Sequence, residues 1–176
     1  MVETQIIVDG ETIAYEGLFD AHELFMLIDS FFHEKHWDKR EIQSLEKVEP
    51  QGKIVELELQ PYKKITDYVR YVIRIFIRMR NITEVEIEKD GHKIRLNKGL
   101  VNITFDGFLE TDYEGRWEAK PMYIFIRTIF DKFIYKVYTG RFEAELVDTV
   151  NMLKSQIKSY LNLARYRQDA RATMHG

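Results

Sequence analysis

Residues 68–81, YVRYVIRIFIRMRN, set four arginines (Arg70, Arg74, Arg78 and Arg80) into an apolar run dense enough to belong in a core. A guanidinium is a planar fork of N–H donors suited to carboxylates and phosphates. Alternating with aromatic rings, it makes the face that single-stranded nucleic acid uses, with phosphates on Arg and bases on rings. The β-branched enrichment favours a strand, although Arg70, Arg74 and Arg78 also have the i, i+4 spacing of a helix. As a strand, Val69, Tyr71, Ile73, Ile75, Ile77 and Met79 share one face, and Tyr68, Arg70, Val72, Arg74, Phe76, Arg78 and Arg80 share the other. Acidic stripes are expected on neighbouring strands: Glu56 and Glu58 on one before it, and Glu84, Glu86 and Glu88 on another after it. Opposite charges side by side on a sheet contribute roughly 0.2–1 kcal/mol each and cancel the field that a phosphate needs. If the glutamates share the arginine face, the arginines are structural; if they lie on the other face, the stripe is an interaction surface.

Other chemistry-bearing residues are sparser. His33 and His36 flank Glu34 and Lys35 at i, i+3, which is not HExxH and leaves a zinc ion short of the three or four ligands it needs, so no metal is expected. Asp106, Glu110, Asp112 and Glu114 are close in sequence, but strand alternation scatters them over faces and turns. No nucleophile elbow, phosphate-cradling glycine loop or dinucleotide fingerprint is present, so the pattern favours a non-enzyme and implies no cofactor. The ten Tyr and eleven Phe fill a core or line a cavity. Tyr15, Tyr71, Trp117 and Tyr123 are the candidates for a cavity wall, each an apolar body with a polar tip.

Composition narrows the classes. Twenty-six basic residues against 29 acidic give a formal net charge of −3, without the basic excess of a dedicated nucleic-acid binder. There are no cysteines, which removes disulfides and thiolate chemistry and fits a reducing cytoplasm. MVETQIIVDG lacks the cationic start and apolar core of a secretory signal. The longest apolar stretches are broken by Arg or Asp, short of a membrane span.

The elements that must hold these residues follow from periodicity. Asp9-Gly10 between Ile6–Val8 and Thr12–Tyr15 has hairpin chemistry. LFDAHELFMLIDSFF starts a helix, with Asp20 as N-cap, Glu23 completing a capping box, and Phe19 and Leu24 at staple spacing. EIQSLEKVEPQGKIVELELQP reads as two strands around Pro50-Gln51-Gly52. VEIEKDGHKIRL turns at Asp90-Gly91, and a further turn is expected near Asn97-Lys98-Gly99. From Pro121 the period becomes helical over 122–138, with a strand as the competing assignment for its first half. Beyond Thr139-Gly140, Phe142, Leu146, Val150, Leu153, Ile157, Leu161 and Ala164 mark a long amphipathic helix to about Tyr166. Residues 1–166 thus form one α+β domain, and 167–176 a flexible tail.

Strand, helix, antiparallel meander and long C-terminal helix is the element order of the helix-grip fold, and over roughly residues 11–166 the chain resembles the START and pollen-allergen-like superfamily. More locally, KIRLNKGLVNITFDGFLETDYEGRW is similar to a set of uncharacterised archaeal proteins. The superfamily resemblance implies a curved antiparallel sheet packed on the last helix, and non-catalytic binding of an apolar or amphipathic small molecule in a cavity between them. The alternative is a protein- or RNA-interaction module using the arginine-rich strand 68–80. A cyclase- or hydrolase-type enzyme stands below both. Cytoplasmic location is expected; oligomeric state is open.

Overall fold

Three strands of 17, 21 and 20 residues make up most of the sheet. The computed structural model describes residues 3–89, 91–113 and 135–172. In chain order they form β1 (Glu3–Phe19), α1 (Ala21–Glu34), β2 (Glu41–Glu49), β3 (Gly52–Leu59), β4 (Tyr62–Lys64), β5 (Val69–Lys89), β6 (His92–Thr111) and α2 (Tyr135–Ala172). The architecture is α+β: a curved, open antiparallel sheet of six strands with two helices among the described residues. Sheet order is β1-β6-β5-β3-β2, and β4 pairs with the start of β5.

The inner face follows the strand alternation. Val69, Tyr71, Ile73, Ile75, Ile77 and Met79 of β5 are buried, as are Val101, Ile103, Phe105 and Leu109 of β6. Against them α2 sets Leu146, Val150, Leu153, Ile157 and Leu161, all buried at helical spacing. From α1 come Leu24, Ile28, Phe31 and Phe32. Each such side chain contributes about 1.5–3 kcal/mol by leaving water. This row is closely packed where α2 crosses the sheet: a Cβ added at Gly107 would sit 3.2 Å from Val8 and 3.4 Å from Leu146.

Two turns form where the sequence places them. Glu49 pairs with Gly52 around Pro50-Gln51, and Lys89 pairs with His92 beside Gly91 (φ 75°). Two others do not form. Asp9-Gly10 makes no hairpin, because β1 stays paired with β6 along its whole length. The residues are absorbed as an irregularity in β1, where the register slips between Val8 and Glu11, and Gly10 takes φ 61°. A positive φ serves a bulge as well as it serves a tight turn. Asn97-Lys98-Gly99 likewise runs straight through β6. Its glycine answers a close approach: a Cβ there would lie 2.7 Å from the Arg80 carbonyl oxygen and 2.5 Å from Ile82. That contact comes from a bulge in β5 between Arg80 and Thr83, with Asn81 at φ 54°. Glu84, Glu86 and Glu88 therefore continue β5 beyond the bulge, on the same strand as the arginines.

The capping of α1 is also modified. Asp20 accepts from the Glu23 N–H at 3.1 Å as expected. The Asp20 N–H, however, donates to the Tyr160 hydroxyl of α2 (3.0 Å), and that hydroxyl donates to the Asp20 carbonyl (2.9 Å). A tertiary contact replaces the return half of the capping box. Residues 122–134 of the predicted 122–138 helix, and its competing strand, lie outside the described residues; α2 begins at Tyr135 and passes through Thr139-Gly140 without a break.

Candidate functional site

The arginine strand has its answer in the register. Arg78 pairs with Glu56, Arg74 with Asp106 and Arg70 with Glu110, all on the outer face of the sheet. Arg78 Nε lies 2.6 Å from Glu56, and Arg74 reaches Glu58 at 2.8 Å and Asp106 at 3.3 Å. Arg70 meets Glu110 at 2.6 Å and lies over the Tyr62 and Tyr113 rings. Arg80 is exposed and has no carboxylate partner among the described residues. On this face three of the four arginines meet four carboxylates. The Arg74 guanidinium holds the Glu58 carboxyl below its ordinary range, against the opposing effect of burial. Glu56 and Glu58 were legible as partners. Asp106 and Glu110 stand where Glu84, Glu86 and Glu88 were expected; the latter three lie past the β5 bulge, where Glu86 faces Arg95 at 3.6 Å. Asp106 has a second duty, accepting the Gly10 N–H at 2.7 Å and so pinning the irregularity in β1.

Of the cavity candidates, Trp117 and Tyr123 lie outside the described residues. Tyr15 and Tyr71 both belong to the inner face, but Tyr15 pairs with Val101 and Tyr71 is opposite Leu109. Eight residues of β6 (109 − 101) separate them, about 26 Å at strand rise. Tyr15 donates to the Leu18 carbonyl at 2.7 Å and packs edge-on against Phe19. Tyr71 is buried, donates to Glu145 of α2 at 3.1 Å, and stacks on Trp37. Burial first, and then the Glu145 carboxylate, push the Tyr71 hydroxyl pKa up.

Beside Tyr71 the structure opens. A cleft of about 700 Å³ lies between the end of α1, β4 and α2, lined by Lys35, His36, Trp37, Lys63, Arg141, Ala144, Glu145, Asp148, Thr149 and Met152. Each wall has a local cause. On α2, Arg141, Glu145, Asp148 and Met152 recur at helical spacing and form one stripe. The α1 wall is a helix stop of the Schellman type: His36 N–H donates to the His33 carbonyl (3.1 Å) and Trp37 N–H to the Phe32 carbonyl (2.9 Å). His36 takes the left-handed position (φ 59°) that glycine usually fills. The accompanying apolar contact is Trp37 edge-on to Phe32, with ring centroids 5.4 Å apart. On β4, Lys63 pairs with Tyr71, which puts its side chain on the inner face, half-buried and without a carboxylate partner among the described residues.

The sequence did not single out Lys63, Arg141 or the cleft side of Trp37. A three-residue strand is too short to display alternation, and only the Tyr71 register reveals which way Lys63 faces. His33 and His36 cap a helix here, with His36 Nδ1 3.1 Å from the Glu34 carbonyl. No group of three or more metal-ligating side chains converges among the described residues. Among those residues no helix is long and apolar enough to cross a membrane. Comparison with known proteins returns no matching family model, no matching curated protein and no matching solved structure.

Proposed function

We propose that the chain is a helix-grip-like module that binds a small amphipathic molecule without chemistry, and that the molecule enters at the cleft between α1, β4 and α2. The curvature of the sheet and the apolar row of α2 laid across its inner face support the helix-grip arrangement. The single observation that carries the binding function is the cleft itself: about 700 Å³, floored by Trp37 and rimmed by charged groups. That size and mixture suit a ligand with an apolar body and a polar end. Where α2 crosses the sheet, the described side chains are closely packed, and the cleft lies beside that packed row. A cytoplasmic setting belongs to the same proposal and rests on the cysteine-free composition. Nucleic acid is not proposed as a partner, since three of the four arginines are paired with carboxylates.

Native mass spectrometry of protein purified from its source tests this. Ala144 is exposed on the cleft side of α2, so Ala144→Trp fills the mouth without entering the core. The wild type is expected to carry a defined small-molecule adduct that the variant lacks, with thermal stability unchanged. Bare wild-type protein, or an adduct kept by both, would overturn the proposal.

A further inference from the structure

The rim of the cleft is unevenly charged, and the imbalance constrains what enters. Three cations line it, Lys35, Lys63 and Arg141, against two carboxylates, Glu145 and Asp148. Glu145 is already engaged by the Tyr71 hydroxyl at 3.1 Å, and Lys35 lies over the Phe31 ring, 5.2 Å from its centroid. Neither Lys63 nor Arg141 has a carboxylate partner among the described residues, in contrast to the outer face, where three of four arginines are paired. The position of Lys63 is the most telling. It stands on the inner face in the row Gln5–Leu109–Tyr71–Lys63, and it is half-buried. Its ammonium can therefore offer its N–H donors to an acidic group in the cleft. Arg141 closes in from α2, near enough to act electrostatically on the Tyr71 hydroxyl. Beyond these cations the lining is mixed, with Trp37, Ala144 and Met152 beside Asp148 and Thr149. Trp37 is buried against Tyr71, and Met152, 46% exposed, lies eleven residues along α2 from Arg141, about 16 Å away.

We infer that the cleft selects an amphipathic anion, its acidic group between Lys63 and Arg141 and its apolar body along Trp37 toward Met152. This rests on the proposed binding function and adds the charge of the ligand. The acidic group is a carboxylate, phosphate or sulfonate; all three offer oxygens to an ammonium and a guanidinium. A cationic ligand is disfavoured, because three cations outnumber two carboxylates on the lining.

Two fluorescent dyes with the same body separate the charge from the cleft: anilinonaphthalene sulfonate and its uncharged parent, N-phenylnaphthylamine. Titrated at low salt, the wild type is expected to bind the sulfonate at least tenfold more tightly than the neutral dye, with the preference falling as salt rises. Lys63→Met and Arg141→Met should each weaken sulfonate binding about tenfold and leave neutral-dye binding and the melting temperature unchanged. Equal affinity for both dyes, or sulfonate binding indifferent to both variants, overturns the inference. Ala144→Trp keeps the two levels apart. If it abolishes binding of two equally bound dyes, the cleft stands and anion selection falls. If it alters neither, or if neither dye binds, both fall.

Discussion

At the scale of single residues, the arginines of β5 show how a stripe with the composition of a binding surface is consumed internally. Direct cross-strand partners on β3 and β6 occupy Arg78, Arg74 and Arg70. Arg74 is shared between Glu58 and Asp106. Its side chain is 40% exposed, so solvent screening keeps its pairing with Glu58 to about 1 kcal/mol at most. The pH dependence of that contribution has a definite sign. Arg74 lowers the folded-state pKa of Glu58 below the ordinary 4.5, so the unfolded chain binds the proton first. The stabilisation is complete above 4.5 and disappears as pH falls through the lowered folded value. Glu58→Gln is therefore expected to be less stable than wild type at neutral pH, with the two urea-denaturation curves converging in acid. A difference that persists at low pH would show that Glu58 acts by packing rather than by charge. At this scale the sequence was informative about faces and less so about partners. Alternation assigned every β5 side chain from Val69 to Arg80 to its side. Partner choice depends on which strand lies next to which, and Glu84, Glu86 and Glu88 continue the arginines' own strand instead of pairing across it.

At the scale of elements, starts were easier to read than stops. The Asp20 cap and the Leu24, Ile28 and Phe31 stripe locate α1 because both are local, nearest-turn effects. The capping box was only half legible, since Tyr160 reaches Asp20 from 140 residues away. The stop of α1 was hidden for another reason: its Schellman turn uses histidine where the usual signal is glycine. Holding a non-glycine residue in the left-handed region costs about 1–2 kcal/mol, and His36 faces the cleft. His36→Gly is accordingly expected to raise stability by roughly 1 kcal/mol, a shift of about 2–4 °C in melting temperature for a chain of this size. Calorimetry checks it; an unchanged or lowered melting temperature would mean that the histidine ring contributes more than its backbone strain removes. The glycines teach a related lesson. Asp9-Gly10 and Asn97-Lys98-Gly99 carry turn chemistry, yet β1 and β6 run through both. Glycine signals an unusual φ or a close neighbour, and only the pairing of strands shows which.

At the scale of the whole molecule, the α+β class was legible because hydrophobic periodicity is two-residue in β5 and helical in α1; the strand count was not, since β1, β5 and β6 each run on where a turn or a new strand was expected. The candidate site was not legible, because it is made by elements remote in sequence. Trp37 ends a helix, Lys63 belongs to a three-residue strand, and Arg141 to Met152 are one stripe of α2; only tertiary register brings them round Tyr71. Tyr71 was the one cavity candidate among the described residues that borders this site, and Tyr15 lies at the other end of the same face. The central claim is that ligand is received at this junction rather than on the outer sheet. Hydrogen–deuterium exchange with and without saturating anilinonaphthalene sulfonate tests it most directly. The expected result is slowed exchange confined to Lys35–Trp37, Tyr62–Lys64 and Arg141–Met152. Slowing along Arg70–Arg80 without change at those three segments, or no slowing anywhere, would contradict it.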